Sequence, residues 1–105
     1  MRITRGFLII LLSLNAIFSA SCCSSDQIPS FIRLLNSSDA KDRNDAALAL
    51  ARCGEKAERA VPRLSQLLYD DNVGVQSAAA YALRKIDTPS ARAIMNRIDE
   101  SRRQK

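Results

Sequence analysis

Three cysteines, Cys22, Cys23 and Cys53, have the widest chemical reach in this chain, since a thiolate can attack an acyl carbon, hold a metal or form a disulfide. The first two uses need partner groups. The 105 residues contain no His and no Trp, which removes the commonest general base and the commonest zinc ligand together. A Ser-His or Cys-His nucleophilic site therefore cannot be assembled from this chain alone. No CxxC pair occurs, so neither a zinc knuckle nor a thioredoxin-like redox site is supported. Cys22 and Cys23 are adjacent and poorly placed to bridge each other. Cys53 falls on an apolar helical stripe and reads as a small buried filler. We expect neither an enzyme nor a bound cofactor.

The charged residues are the other groups with chemical reach. Asp39, Asp42 and Asp45 recur every three residues and could suggest a cation site. Carboxylates along one helical face, without backbone carbonyl ligands or a tight loop, make a poor calcium cage. They read instead as acids favoured by the positive end of a helix, and Asp70-Asp71 reads the same way. No metal site is expected. Residues 84–105 carry seven Lys or Arg against three Asp or Glu, a surface that could meet phosphate or anionic headgroups. Tyr69 and Tyr81 do not interleave with these cations as stacking platforms would, so nucleic acid is not expected as a partner.

The first twenty or so residues form a device of their own. Arg2 and Arg5 precede an apolar run from Gly6 to Phe18, broken only by Ser13 and Asn15, and Ser19-Ala20-Ser21 follow. Charge, then apolar run, then small residues is the order of an export signal. Phe7 to Ala20 is 14 residues, short of the roughly 20 that span a bilayer, although an uncleaved anchor remains the alternative. A cut before Cys22 would leave it as the first mature residue, which resembles a bacterial lipoprotein and makes Cys22 the candidate lipidation site. Such signals usually carry Leu, Val or Ile three residues before the acylated Cys, and here that place is Ser19. Plain release is the other outcome. Either way the chain is expected in the periplasm, the cell envelope or outside the cell. The expected division is 1–21 signal peptide, 22–27 short tether, 28–101 helical domain and 102–105 basic tail.

Sliding the chain against itself exposes a repeat. At an offset of 33, residues 28–54 align with 61–87, with 7 identities in 27 pairs. Pro29 falls on Pro62, Leu34-Leu35 on Leu67-Leu68, Ala46-Ala47 on Ala79-Ala80 and Leu50 on Leu83. Val75, Ala79, Ala82, Leu83 and Ile86 step along one face of a 3.6-residue helix, and Ala46, Ala49, Leu50 and Cys53 trace the same face one repeat earlier. Val61, Leu64, Leu67 and Leu68 make a partner stripe, Phe31, Leu34 and Leu35 its earlier copy, and Ala91, Ile94, Met95 and Ile98 a last one. The pattern predicts five helices, at 28–37, 39–53, 58–69, 73–87 and 90–101, with the last connection shorter by about three residues. Asp39, and Asp71 or Asn72, are the expected caps, and Gly54 and Pro89 the expected stops.

Residues 71–86, DNVGVQSAAAYALRKI, resemble the first helix of a HEAT-like repeat of the phycobilisome-lyase type, and residues 60–71, AVPRLSQLLYDD, resemble its second helix. Family repeats tend to open the first helix with Val-Arg, where this chain has Val75-Gln76 in one copy and Asp42-Arg43 in the other. The resemblance implies an all-α fold, a short α-solenoid of about two and a half HEAT-like helical repeats. Such units bury apolar surface by stacking, so a short array leaves a large share of end surface. Phe31, Leu34 and Leu35 are expected to have one neighbouring layer only. The leading functional expectation is a small exported adaptor or scaffold that binds another protein, with a membrane tether through its N-terminus if Cys22 is acylated. Gln66, Tyr69, Asn72 and Gln76 are the candidate protein-binding surface. The resemblance also implies an alternative, bilin attachment or assembly on light-harvesting proteins. A truncated repeat protein with no role of its own is the third reading.

Overall fold

The computed structural model describes residues 23–105. The signal-like stretch 1–21 and the candidate lipidation site Cys22 lie outside the described residues. Helices α1 (Ile28–Leu34) and α2 (Ala40–Cys53) are followed by a 3-10 segment (Gly54–Ala60), then α3 (Val61–Leu67), α4 (Val73–Ile86) and α5 (Pro89–Arg103). The repeat holds to the residue. Helices α1 and α3 are seven residues each, α2 and α4 fourteen each, and both pairs begin 33 positions apart.

Local chemistry explains where these helices start and stop. Asp39 accepts a hydrogen bond from the Lys41 amide at 2.9 Å, and Asn72, one repeat on, accepts from the Val75 amide at 3.1 Å. Both satisfy amides that have no partner within the helix. Pro29, Pro62 and Pro89 each sit in the first turn, where a missing N–H costs little. Gly54 (φ 57°) and Asp87 (φ 50°) turn the chain out of α2 and α4 at equivalent positions.

Helices α1 and α3 stop sooner than the apolar pattern suggested. The amides of Asn36 and Ser37 bond back to Arg33 and Leu34, and those of Tyr69 and Asp70 to Gln66 and Leu67, which tightens both last turns. The last connection is the shorter one, as expected, and by more than the expected three residues. Seven residues, 3-10 turns kinked at Ala57, join α2 to α3, whereas Asp87 and Thr88 alone join α4 to α5. The seven are no slack linker, because Ala57 and Ala60 are fully buried. Helix α5 runs on to Arg103, so Arg102 and Arg103 are helical where a tail was expected.

The two long helices pack on each other over the largest interface of the molecule. Helix α1 lies against α2, α3 and the 3-10 segment lie against α4, and α5 closes on α4 with a smaller contact to α3. The protein is therefore an all-α short solenoid, with α4 stacked on α2 as the next layer and α1, α3 and α5 packed along them. Leu35, Leu50, Leu64, Val75, Leu83 and Ile86 are its largest fully buried side chains. Alanines at 46, 47, 79 and 82 let the long helices approach closely. Burial is wider than the single stripe read from the sequence, since Ala47, Ala51 and Ala78 are covered as well. At the first end, Leu35 is fully buried, Phe31 half-buried and Leu34 exposed, so only part of the expected apolar end is open.

Cys53 corrects the sequence reading. It is buried, as a filler would be, but it is bonded to Cys23 in a disulfide with Cα atoms 5.0 Å apart. A turn in which the Gln27 amide bonds the Ser24 carbonyl brings the segment before α1 back to the end of α2. Nothing local in the sequence marks that return.

Candidate functional site

A polar joint holds the two repeats in register. Arg43 leaves α2 and meets Asp70 in the turn before α4, with Nε to Oδ2 at 3.0 Å and a terminal guanidinium nitrogen to Oδ1 at 3.0 Å. The other terminal nitrogen donates to the Ser37 and Ser38 carbonyls at 2.9 and 3.1 Å. The two side chains are 11% and 8% exposed, so the pair is sheltered from solvent. The guanidinium, together with the Asn72 amide, holds the Asp70 carboxyl below its usual range, and the same hydrogen bond to Asp70 raises Arg43. One repeat later Gln76 stands where Arg43 stands, and its amide donates to the Asp70 carbonyl as Arg43 does to that of Ser37.

The direction of Arg43 identifies the side of α2 that faces the next layer. Ala47 and Ala51 follow at steps of four on the same stripe, and both are buried. The matching stripe of α4 is Gln76, Ala80 and Arg84. It lines an open groove of about 390 Å³. Leu68 and Tyr69 at the end of α3 close one side, and Ile98, Ser101 and Arg102 of α5, with Lys105, close the other. Leu68 is half-buried there, while Leu35, its equivalent one repeat earlier, is fully covered. Tyr69 is 76% exposed.

The groove is apolar at its floor, through Leu68, Ala80 and Ile98, and cationic at its rim, through Arg84, Arg102 and Lys105. The nearest carboxylate to Arg84 is Asp99, at 4.0 Å and with both side chains well solvated, a weak pairing. Such a surface can take apolar atoms and anionic groups together. Among the described residues, no three His, Cys, Asp or Glu side chains gather where a metal could be held, and no helix is long and apolar enough to cross a membrane.

Of the four surface residues expected to bind a partner, Tyr69 and Gln76 line this groove. Asn72 is occupied as the cap of α4, and Gln66 accepts from Arg63 at 2.9 Å on the flank of α3. Arg63 also reaches the Leu35 carbonyl at 3.2 Å, tying α3 to the end of α1. Arg84, Arg102 and Lys105 belong to the basic surface read over residues 84–105, but Ala80, Ile98 and Ser101 were not expected beside them in one groove. The 33-residue offset carried a signal for Ala80 and Arg84, because it sets them on Ala47 and Ala51. For α5, whose connection breaks the offset, only the run of cations pointed to a surface.

A family model described as HEAT repeats matches residues 28–103, nearly all of the described chain. No curated protein and no solved structure matches the sequence.

Proposed function

This chain belongs to the HEAT-repeat family, and from that premise we propose that it is a small exported adaptor that binds another protein across its helical array. The fold is one generally associated with protein–protein interaction surfaces. The observation that carries the reading is the uncovered groove at the α4–α5 end, where Gln76, Ala80 and Arg84 form a stripe whose earlier copy is covered through Ala47 and Ala51, and where Tyr69 stands at the edge. Tyr69, 76% exposed, offers a large, stiff side chain of the kind that anchors interfaces.

Export is supported by the order of residues 1–21 and by the Cys23–Cys53 disulfide, since disulfides persist mainly in oxidising compartments. With Cys23 pinned to α2, a lipid on Cys22 would hold the helical domain close to the membrane. Intact mass of the protein from the cells that produce it separates a retained N-terminus, a cut before Cys22, and a cut with added lipid.

The adaptor reading is tested by affinity capture from envelope and secreted fractions with the full chain as bait. One stoichiometric partner that survives washing is the expected result. Recovery of nothing specific, from a protein that sediments as a monomer, would overturn it. The bilin-handling alternative draws its support from the family resemblance alone; incubation with bilin and apo-subunit, read by mass for a covalent adduct, decides it.

A further inference from the structure

We infer that the groove between α3, α4 and α5 is the seat of a helix from a partner protein that carries acidic side chains, docked as one more layer of the stack. This rests on the adaptor reading and deepens it by assigning the surface and the chemistry of its occupant.

The first argument is internal to the molecule. Arg43, Ala47 and Ala51 of α2 face the next layer, and α4, the neighbour with the largest interface to α2, lies on that side. Gln76, Ala80 and Arg84 form the same stripe 33 residues on, and they line an open space of about 390 Å³. Helix α4 thus shows on one side how a helix seats on such a stripe, and presents on its other side the same kind of seat uncovered. Small side chains at Ser77 and Ala80 allow a second helix to come close, as Ala47 does beneath α4.

Charge then selects the occupant. Inside the molecule, the cation on the stripe is met by a carboxylate from the next layer, Arg43 by Asp70. At the groove the cations have moved to Arg84, Arg102 and Lys105, with Asp99 as a loose neighbour of Arg84. Carboxylates from outside are the complement of this rim. A second copy of this chain stacked head to tail fits less well. Its α2 sets Lys41, Arg43 and Arg52 against Asp42 and Asp45, a net positive helix that does not complement a cationic rim.

The test is site-specific photocrosslinking of the full chain in the cells that produce it. Ser77→p-benzoylphenylalanine places the probe at an exposed position inside the groove, and Tyr81→p-benzoylphenylalanine places it on α4 outside the groove. The expected result is a protein adduct at Ser77 that maps to an acidic, helix-forming segment. Adding Arg84→Glu and Arg102→Glu should lower its yield roughly tenfold while the melting temperature holds, since Arg84 is exposed and Arg102 lies at the end of α5. An adduct at Ser77 with a second copy, a lipid or a segment without acids overturns the inference, as does a yield that ignores charge reversal. A protein adduct at Tyr81 with none at Ser77 overturns it while leaving the adaptor reading standing. No protein adduct at either position overturns both.

Discussion

Arg43 on α2 and Asp70 ahead of α4, 27 positions apart in the chain, meet through two parallel hydrogen bonds of 3.0 Å each. The planar guanidinium matches the carboxylate at both prongs, so the contact sets an angle as well as a distance. Asp70 also accepts the Asn72 amide at 2.9 Å, which fixes the turn that launches α4. One ion pair thereby aligns two repeats and starts the second long helix. A Lys at position 43 would keep the charge and lose the two-pronged geometry.

The Asp70 carboxyl is held below its usual range by Arg43. The unfolded chain titrates near the ordinary value of about 3.9, so between the two values the unfolded state holds more protons and stability rises with pH. This contribution is present above the unfolded value and is lost as pH falls through the folded one. Asp70→Asn should be less stable than the parent at neutral pH, and the gap should close on acidification below about pH 4. Urea melts of both proteins between pH 7 and pH 2.5 read the difference. Asp45 and Glu58, whose carboxyls are also lowered by hydrogen-bond partners, leave some pH dependence in both proteins, so it is the gap that reports on Asp70.

The Cys23–Cys53 bridge closes a loop across a sequence separation of 30. A loop of that length is worth roughly 3–4 kcal/mol through restriction of the unfolded chain. Cys23→Ser should cost about that amount, and a reducing agent should do the same to the parent while leaving the variant unmoved. Thermal melts with and without reductant check both halves.

Leu50 and Leu83 occupy equivalent places on α2 and α4 and are both fully buried. Leu50→Ala and Leu83→Ala should each lose about 2–5 kcal/mol through lost transfer energy and the cavity left behind. Leu34→Ala, at a position 42% exposed, should lose far less. The unfolding curve of the parent should remain a single transition, because the two repeats share one core; two separated transitions would favour a decaying repeat protein over a folded adaptor domain.

Gly54 and Asp87 take positive φ at equivalent helix ends, 57° and 50°. Gly54→Ala has room for the new methyl, which would lie 3.9 Å from the Lys85 carbonyl, yet φ 57° with ψ −139° is a glycine conformation, and the variant should lose more than about 1 kcal/mol. Asp87, at φ 50° and ψ 34°, is in the left-handed helical region that Asp tolerates better, so Asp87→Gly should gain only a few tenths of a kcal/mol, less what its solvated contact with Arg92 contributes. Chemical denaturation of the two single variants compares them.

What could be read from the sequence was what near neighbours decide. Helix periods, the caps at Asp39 and at Asp71 or Asn72, the prolines in first turns and the 33-residue offset depend on residues a few positions apart or on simple self-similarity, and α1 with α3 and α2 with α4 repeat at that offset to the residue. Tyr69 and Gln76 could be singled out for the same reason, as large or polar side chains off the apolar stripe. Tertiary structure decided the rest. Whether Ala47, Ala51 and Ala78 are covered depends on which helix stacks beside them, and alanine is at home on either kind of surface. Cys23 finds Cys53 because a turn carries the chain back to the end of α2, a closure with no local signature. The earlier stripe is sealed because α4 stacks on α2, whereas among the described residues no helix stacks on the matching stripe of α4, so Ala80 is only half-buried and Arg84 exposed.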